Sequence, residues 1–335
     1  MKFVRFDDGR TGVVVGADED KVLDLTASFP ALRQNDQAGA DLLGTLLPGN
    51  GSGTWKALIE SWDSARPVIE KMIRLCEGSA SGFRLVPLDG LKLLPPVSNP
   101  DRPMFAIGAN HIEHIVKGVG GLKGIDVDPE KILGEKRNGL PPWGFTVQPS
   151  SLAAHEDNVG PPVQARLFDY ESEVGVALRA SGRNIEYDRS SIWGYTAVND
   201  LSLRDPHIGM GPLTERGDHS WALDKNFERS KPCGPFMVVD EGIDIENLRV
   251  TTRINGELRQ DWSTSQMVWK FADAIEWLSK YIPMTSGDMI VSGTGSGCAC
   301  DDGIDGPNWP KPGDVIEIEV EGVGVLRNHV VASWA

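Results

Sequence analysis

Apolar and polar positions alternate with a period of two over much of the chain, and each short run that does so is a predicted strand. The first three, KFVRF, TGVVVG and KVLDLT, lie within residues 1–26, with Asp7-Asp8-Gly9 as a hairpin turn. From Ala38 the period lengthens. Trp55, Leu58, Ile59, Trp62, Val68, Ile69, Met72 and Ile73 recur at helical spacing up to Cys76, with Pro67 expected to break that helix. The proline-rich stretch LKLLPPVSNPDRP at 91–103 reads as a connector, placing a boundary near residue 95 between a small N-terminal domain, 1–95, and a larger one, 96–335.

In the larger domain Met104 to Ile107 reads as a buried strand and Gly108 to Asn110 as a turn. His111, His114 and Ile115 then share one side of a short helix. Residues 111–142, polar and broken by glycine and proline, form an excursion of the kind lids use. From Phe145 strand-like runs dominate, with turns at Asn255-Gly256 and Glu321-Gly322. One clear helix, Ser265 to Tyr281, interrupts them with Met267, Phe271, Ala274, Ile275 and Leu278 on its apolar face. Many strands without regular βαβ alternation predict a mixed α/β, β-rich fold.

One strand carries chemistry. In LFDYESEVGVAL (167–178) one row of side chains is Phe168, Tyr170, Ser172, Val174, Val176 and Leu178, while the other brings Asp169, Glu171 and Glu173 onto one face. An edge strand with a solvated acidic face would explain this. Two features weigh against it. Gly175 and Ala177 are small, as if leaving room beside the acids, and the next strand-like run, IWGYTAVNDLSLRD, delivers Asn199-Asp200 and Arg204-Asp205. Two acids at i and i+2, joined by a third from a neighbouring strand, suit a hard divalent cation.

Composition narrows the partners. The chain has 335 residues, 40% hydrophobic and 24% charged, enough for a sizeable core, and 48 acids against 33 bases leave a net charge of -15. That field repels phosphate backbones, so neither nucleic acid nor a membrane is an expected partner. MKFVRFDDGR lacks an apolar run, so a cytoplasmic location is expected. GVGGLKG does not follow dinucleotide-binding spacing. Cys76, Cys233, Cys298 and Cys300 read as incidental thiols. Cys298-Ala-Cys300 resembles half a zinc site, but no second cysteine pair or nearby histidine pair completes it.

The ordered pieces IGANHIEH, FTVQPSSL, DYESEVGVAL, GYTAVNDLSLRD, CGPFMVVD, INGELRQDWSTSQMVW, SGDMIVSGT and KPGDVIEIEVEGVG resemble the fumarylacetoacetate hydrolase family over roughly residues 100–335. The resemblance implies a β-roll core with a small N-terminal α+β domain, a homodimer, and a divalent cation, Mg²⁺ first, with Mn²⁺ or Ca²⁺ as alternatives. It implies Glu171, Glu173 and Asp200 as metal ligands. Arg204, His207 and Thr294 would contact a small-molecule substrate, though a salt bridge is the plainer role for Arg204. Lys225 would reach the bound substrate, and His114 would orient or deprotonate water. Two departures stand out. Gly295 replaces the usual proline after Thr294, and Lys117 replaces the glutamate that often backs the histidine. A carboxylate from elsewhere, Glu130, Glu135, Asp301 or Asp302, could take that place. The expected activity is hydrolysis of a C–C bond in a β-diketo acid or acylpyruvate-like 2-oxo acid. The alternatives are a lyase on the same site (a 2-oxo-acid decarboxylase or 2-keto-3-deoxy sugar-acid dehydratase) and a non-catalytic small-molecule binder.

Overall fold

A computed structural model of the chain describes residues 1–49, 53–78, 81–120, 126–162, 165, 167–205, 223–239 and 242–333. The fold is mixed and sheet-rich, as its alternating runs predict. One twelve-stranded sheet runs, in its main path, through Leu85–Pro87, Lys21–Asp24, Arg10–Val15, Lys2–Phe6, Lys231–Val238, Ile192–Asn199, Ser172–Leu178, Met289–Val291, Met104–Ile107 and Gly144–Val147. The first 95 residues are therefore not a separate sheet: Lys2 and Phe3 of the first strand pair with Val238 and Met237. Five further strands, led by Glu257–Ser263 and Arg249–Ile254, make a second sheet.

The acid-bearing strand Ser172–Leu178 lies inside the large sheet, paired on one side with Ile192–Asn199 and on the other with Met289–Val291. All seven of its residues are buried. The solvated edge is thereby excluded, because neither flank nor face meets water. The small residues beside the acids have another cause than ligand space: a Cβ on Gly175 would come within 2.9 Å of Val198 and 3.1 Å of Met289. Val174, Val176 and Leu178 pack into a core under the second sheet, and Ala177 into a core under the N-terminal helices.

Two helix expectations shift, each for a local reason. Helices Lys56–Glu60 and Trp62–Glu77 meet at Ser61, and Pro67 stays inside the second. Its ring forfeits one hydrogen bond within the first two turns, while Ala65, Ile69 and Met72 remain buried on the core side. The later helix spans Phe271–Tyr281 and does not begin at Ser265. Asn110 captures the missing turn: its side chain accepts from the Trp269 N–H at 2.7 Å and donates to the carbonyls of Trp269 (2.9 Å) and Ser292 (2.7 Å). The Val268 N–H donates to the Asn110 carbonyl, and His111 bridges to Met267. The same contacts fix the start of the histidine segment. No helix among the described residues is long and apolar enough to cross a membrane.

Candidate metal centre

Glu171 immediately precedes the strand Ser172–Leu178 and Glu173 lies on it, while Asp200 follows the end of Ile192–Asn199. Ser172 faces Asn199 in that pairing, and the Asp200 N–H donates to the Glu171 carbonyl at 2.9 Å. This register brings one carboxylate oxygen from each of Glu171, Glu173 and Asp200 within 4.8 Å of one another, all buried.

Cations press against this cluster. The Lys225 ammonium donates to Glu171 Oε2 at 2.5 Å, Asp200 Oδ2 at 2.9 Å and Ser202 Oγ at 2.5 Å. Burial alone would lower the Lys225 pKa, but Asp200 and Glu171 hold it above its ordinary value. Arg204 donates through Nε to Asp169 at 2.9 Å and through Nη2 to Glu171. Arg204 thus takes the salt-bridge role in this structure. Lys231, which the sequence reading gave no part, reaches Asp200 Oδ1 at 2.7 Å from a fully buried side chain. A lysine in the apolar run KPCGPFMVV was the available signal, since a buried ammonium needs an anion.

Asp169 also has a definite place. Its carboxylate is fully buried and accepts from Arg204 and from the backbone N–H of Ala299 (2.8 Å) and Cys300 (3.3 Å). It ties the metal cluster to the loop that carries Asp301.

Four carboxylates, Asp169, Glu171, Glu173 and Asp200, face three cations, Arg204, Lys225 and Lys231. Glu173 is the acid without an ion-pair partner among the described residues, and it accepts only the Gly293 N–H at 2.8 Å. Burial, then the charges of Asp200 and Glu171, push its carboxyl well above the usual range. Glu171 lies at the other extreme: against the cost of burial, Arg204 and Lys225 hold it well below. An all-oxygen donor set short of positive charge fits a hard divalent cation.

His114, at the end of the short helix Ile112–His114, forms the opposite wall. Its Nδ1 lies 3.2 Å from Asp301 Oδ1 and its Nε2 lies 3.7 Å from Glu171 Oε1. Asp301 is thus the carboxylate behind the histidine. Glu130 is turned to Arg137 and Asp302 to Asn308. Lys117 faces away, paired with Glu113 at 2.5 Å on an exposed surface. Thr294 is buried and accepts from Gln260 Nε2 at 2.9 Å. Glycine follows it because Trp262 fills the space: a Cβ on Gly295 would come within 2.3 Å of that ring. His207 lies outside the described residues. His111 sits behind His114, edge-on to Trp262 at 4.5 Å, and burial drives its pKa down to about 3.

The family model for the fumarylacetoacetate (FAA) hydrolase C-terminal region matches residues 104–331. The chain belongs to the fumarylacetoacetate hydrolase family. Its relatives within that family include the oxaloacetate tautomerase YisK of Bacillus subtilis (strain 168), 29% identical over 320 residues and covering 93% of this chain and 94% of that one. Human mitochondrial oxaloacetate tautomerase FAHD2B is 30% identical over 257 residues, 75% of this chain and 73% of its own. Among solved structures, a probable 2-hydroxyhepta-2,4-diene-1,7-dioate isomerase from Mycobacterium abscessus superposes with a TM-score of 0.67 at 26% identity, covering 100% of this chain and 99% of that one. The family members matched here are named as tautomerases, isomerases and hydrolases.

Proposed function

We propose that this chain interconverts the enol and keto forms of a small 2-oxo dicarboxylic acid of the oxaloacetate type, with a divalent cation held by Glu171, Glu173 and Asp200. The observation that carries the reading is the imidazole of His114, held between Asp301 at 3.2 Å and Glu171 at 3.7 Å. Asp301 accepting from Nδ1–H leaves Nε2 as the basic nitrogen, directed at the carboxylate cluster. From there it takes a proton from the carbon next to the 2-oxo group and returns it to the same carbon in the reverse direction. The cation supplies Lewis-acid polarisation of the substrate's oxygen, which makes that proton removable. Lys225, charged and buried beside Glu171 and Asp200, offers the compensating positive charge as the oxygen gains electron density.

Proton transfer at one carbon needs one base and one electrophilic region, and the described residues contain both. The two oxaloacetate tautomerases at 29–30% identity support the same reaction and substrate class. A second reading, hydrolysis of an acylpyruvate C–C bond, draws on the same His114–Asp301 pair, because an imidazole backed by a carboxylate also activates water.

The test follows the decay of oxaloacetate enol absorbance with Mg²⁺ or Mn²⁺, alongside an acylpyruvate panel in ¹⁸O-labelled water. The expected result is a metal-dependent acceleration of ketonisation, abolished by chelation, with no release of pyruvate. Cleavage of an acylpyruvate with label in the acid product, and no effect on the enol, would replace the tautomerase by the hydrolase. Pyruvate and carbon dioxide from oxaloacetate would make the enzyme a decarboxylase.

A further inference from the structure

Behind His114, on the side away from Glu173 and Asp200, lies a group of softer ligands. His114, Cys300 and Asp301 each place a ligand atom within 4.8 Å of the other two, and His114, Glu171 and Cys298 form a second such group. The measured separations, 3.2 Å from His114 Nδ1 to Asp301 Oδ1 and 3.8 Å from Cys300 Sγ to the same oxygen, suit a small cation. Ligands 2.0–2.3 Å from a tetrahedral zinc stand about 3.3–3.8 Å apart.

The surroundings are built to match. Cys298 lies within hydrogen-bond reach of Cys300, close enough to supply a fourth ligand. Asp301 is aimed by its other oxygen, which accepts the Gly297 N–H at 2.6 Å. One more residue marks the spot. A Cβ on Gly118 would come within 2.7 Å of Asp301 Oδ1, 3.0 Å of His114 Cε1 and 3.1 Å of Cys300 Sγ. The three side chains thus converge on one small volume, and the chain passes it with the single residue type that leaves it open. Gly118 lies in a π-helical turn, Ile115–Gly120, a distortion found mostly at functional sites.

We propose that His114, Cys300 and Asp301, with Cys298 as the fourth ligand, form a second metal site that takes a soft divalent cation of the zinc class and switches the enzyme off. Sulfur and imidazole select zinc or cobalt over magnesium, whereas the all-oxygen cluster selects the reverse. Each thiol that becomes a ligand releases its proton to solvent, and no other bond changes. Binding rests on the geometry alone; inhibition rests on the proposed function, because the cation would occupy the imidazole that acts as base.

The experiment titrates the metal-stripped full-length protein with cobalt(II) in saturating Mg²⁺ and without substrate, reading sulfur-to-cobalt charge-transfer absorption. The expected band appears in wild type and in Glu173→Gln. In Cys300→Ser it is lost, or needs at least about tenfold more cobalt, and Cys298→Ser weakens it less. Absence of the band in wild type, its persistence in both serine variants, or its loss in Glu173→Gln overturns the site. Zinc is then added to turnover assays in the same Mg²⁺. Wild type should lose activity at zinc concentrations that leave Cys300→Ser unaffected, and zinc that binds without slowing turnover overturns the inhibition. A protein that shows the band but turns over neither enol nor acylpyruvate refutes the proposed reaction and leaves the soft site standing.

Discussion

The carboxylate wall of the site stands on two paired strands at the centre of the large sheet, whereas the histidine wall is assembled from a short helix near residue 114 and a loop near residue 300. The first is held by sheet register, with Ser172 opposite Asn199. The second is held by side chains reaching backbone: Asn110 grips Trp269 and Ser292, and Asp169 grips Ala299 and Cys300. A register cannot slip without turning every buried side chain outward, so the metal ligands are the rigid part. The base and its carboxylate depend on a few polar contacts, and the most informative variants are those that separate the two walls.

The largest separation should come at His114. Replacing it with Gln removes the proposed base and should lower kcat/KM by about a hundred- to ten-thousandfold, while Mn²⁺ affinity, read by titration, stays near that of the wild type. Asp301→Asn keeps the shape but disturbs the tautomer, and should cost about ten- to a hundredfold. Equal losses of metal affinity and turnover in both variants would mean that the walls are one unit. Asp169 joins them, so its effect should fall on stability. Asp169→Ala strands a buried Arg204 that is bonded otherwise to Glu171 and should destabilise the fold by about 3–5 kcal/mol in urea. A change below about 1 kcal/mol would show that Arg204 finds another partner.

The same contrast explains what could be read from the chain. The strand-borne ligands were legible because period-two alternation sorts side chains by face, and an acid row on a strand this apolar needs a reason. Sheet content and the hairpin turns followed from the same alternation. Lys231 was hidden by its own strand, and the start of the later helix by Asn110, whose partners lie more than 150 residues away. The histidine wall was illegible for a similar reason. His114 and Asp301 are 187 residues apart, and no local pattern pairs them. The Cys298-Ala-Cys300 thiols lacked a histidine only in sequence; in space His114 stands beside them.

A smaller effect separates the walls by pH. His111, pushed down to about 3 by burial and then by the charges of His114 and Lys270, stays neutral in the fold at pH values where the unfolded chain, near its ordinary 6.5, takes up a proton. Its contribution to stability is complete above about pH 6.5 and lost as pH falls, at about 1.4 kcal/mol per pH unit, or about 2 kcal/mol by pH 5. Asp224, pushed up to about 6, works in the opposite direction between its ordinary value and that pH. The measurement is therefore the difference between wild type and His111→Phe, which keeps an aromatic edge on Trp262. Denaturation series at pH 7 and pH 5 should show the variant losing about 2 kcal/mol less. Parallel losses would place the proton elsewhere.

The smallest effect belongs to Lys117, where the family often carries the glutamate behind the histidine. Its ammonium is spent on Glu113 one turn away, with both side chains more than half exposed, and an exposed pair of this kind contributes at most about 0.5 kcal/mol. Lys117→Ala should leave kcat within about twofold and stability within about 0.5 kcal/mol. Lys117→Glu sharpens the point. If the 117 position could still back the histidine, the restored carboxylate would rescue an Asp301→Asn enzyme. With Asp301 already against Nδ1 and residue 117 directed at solvent, the double variant should be no faster than Asp301→Asn alone. Rescue by tenfold or more would return the carboxylate role to the helix and take it from the loop.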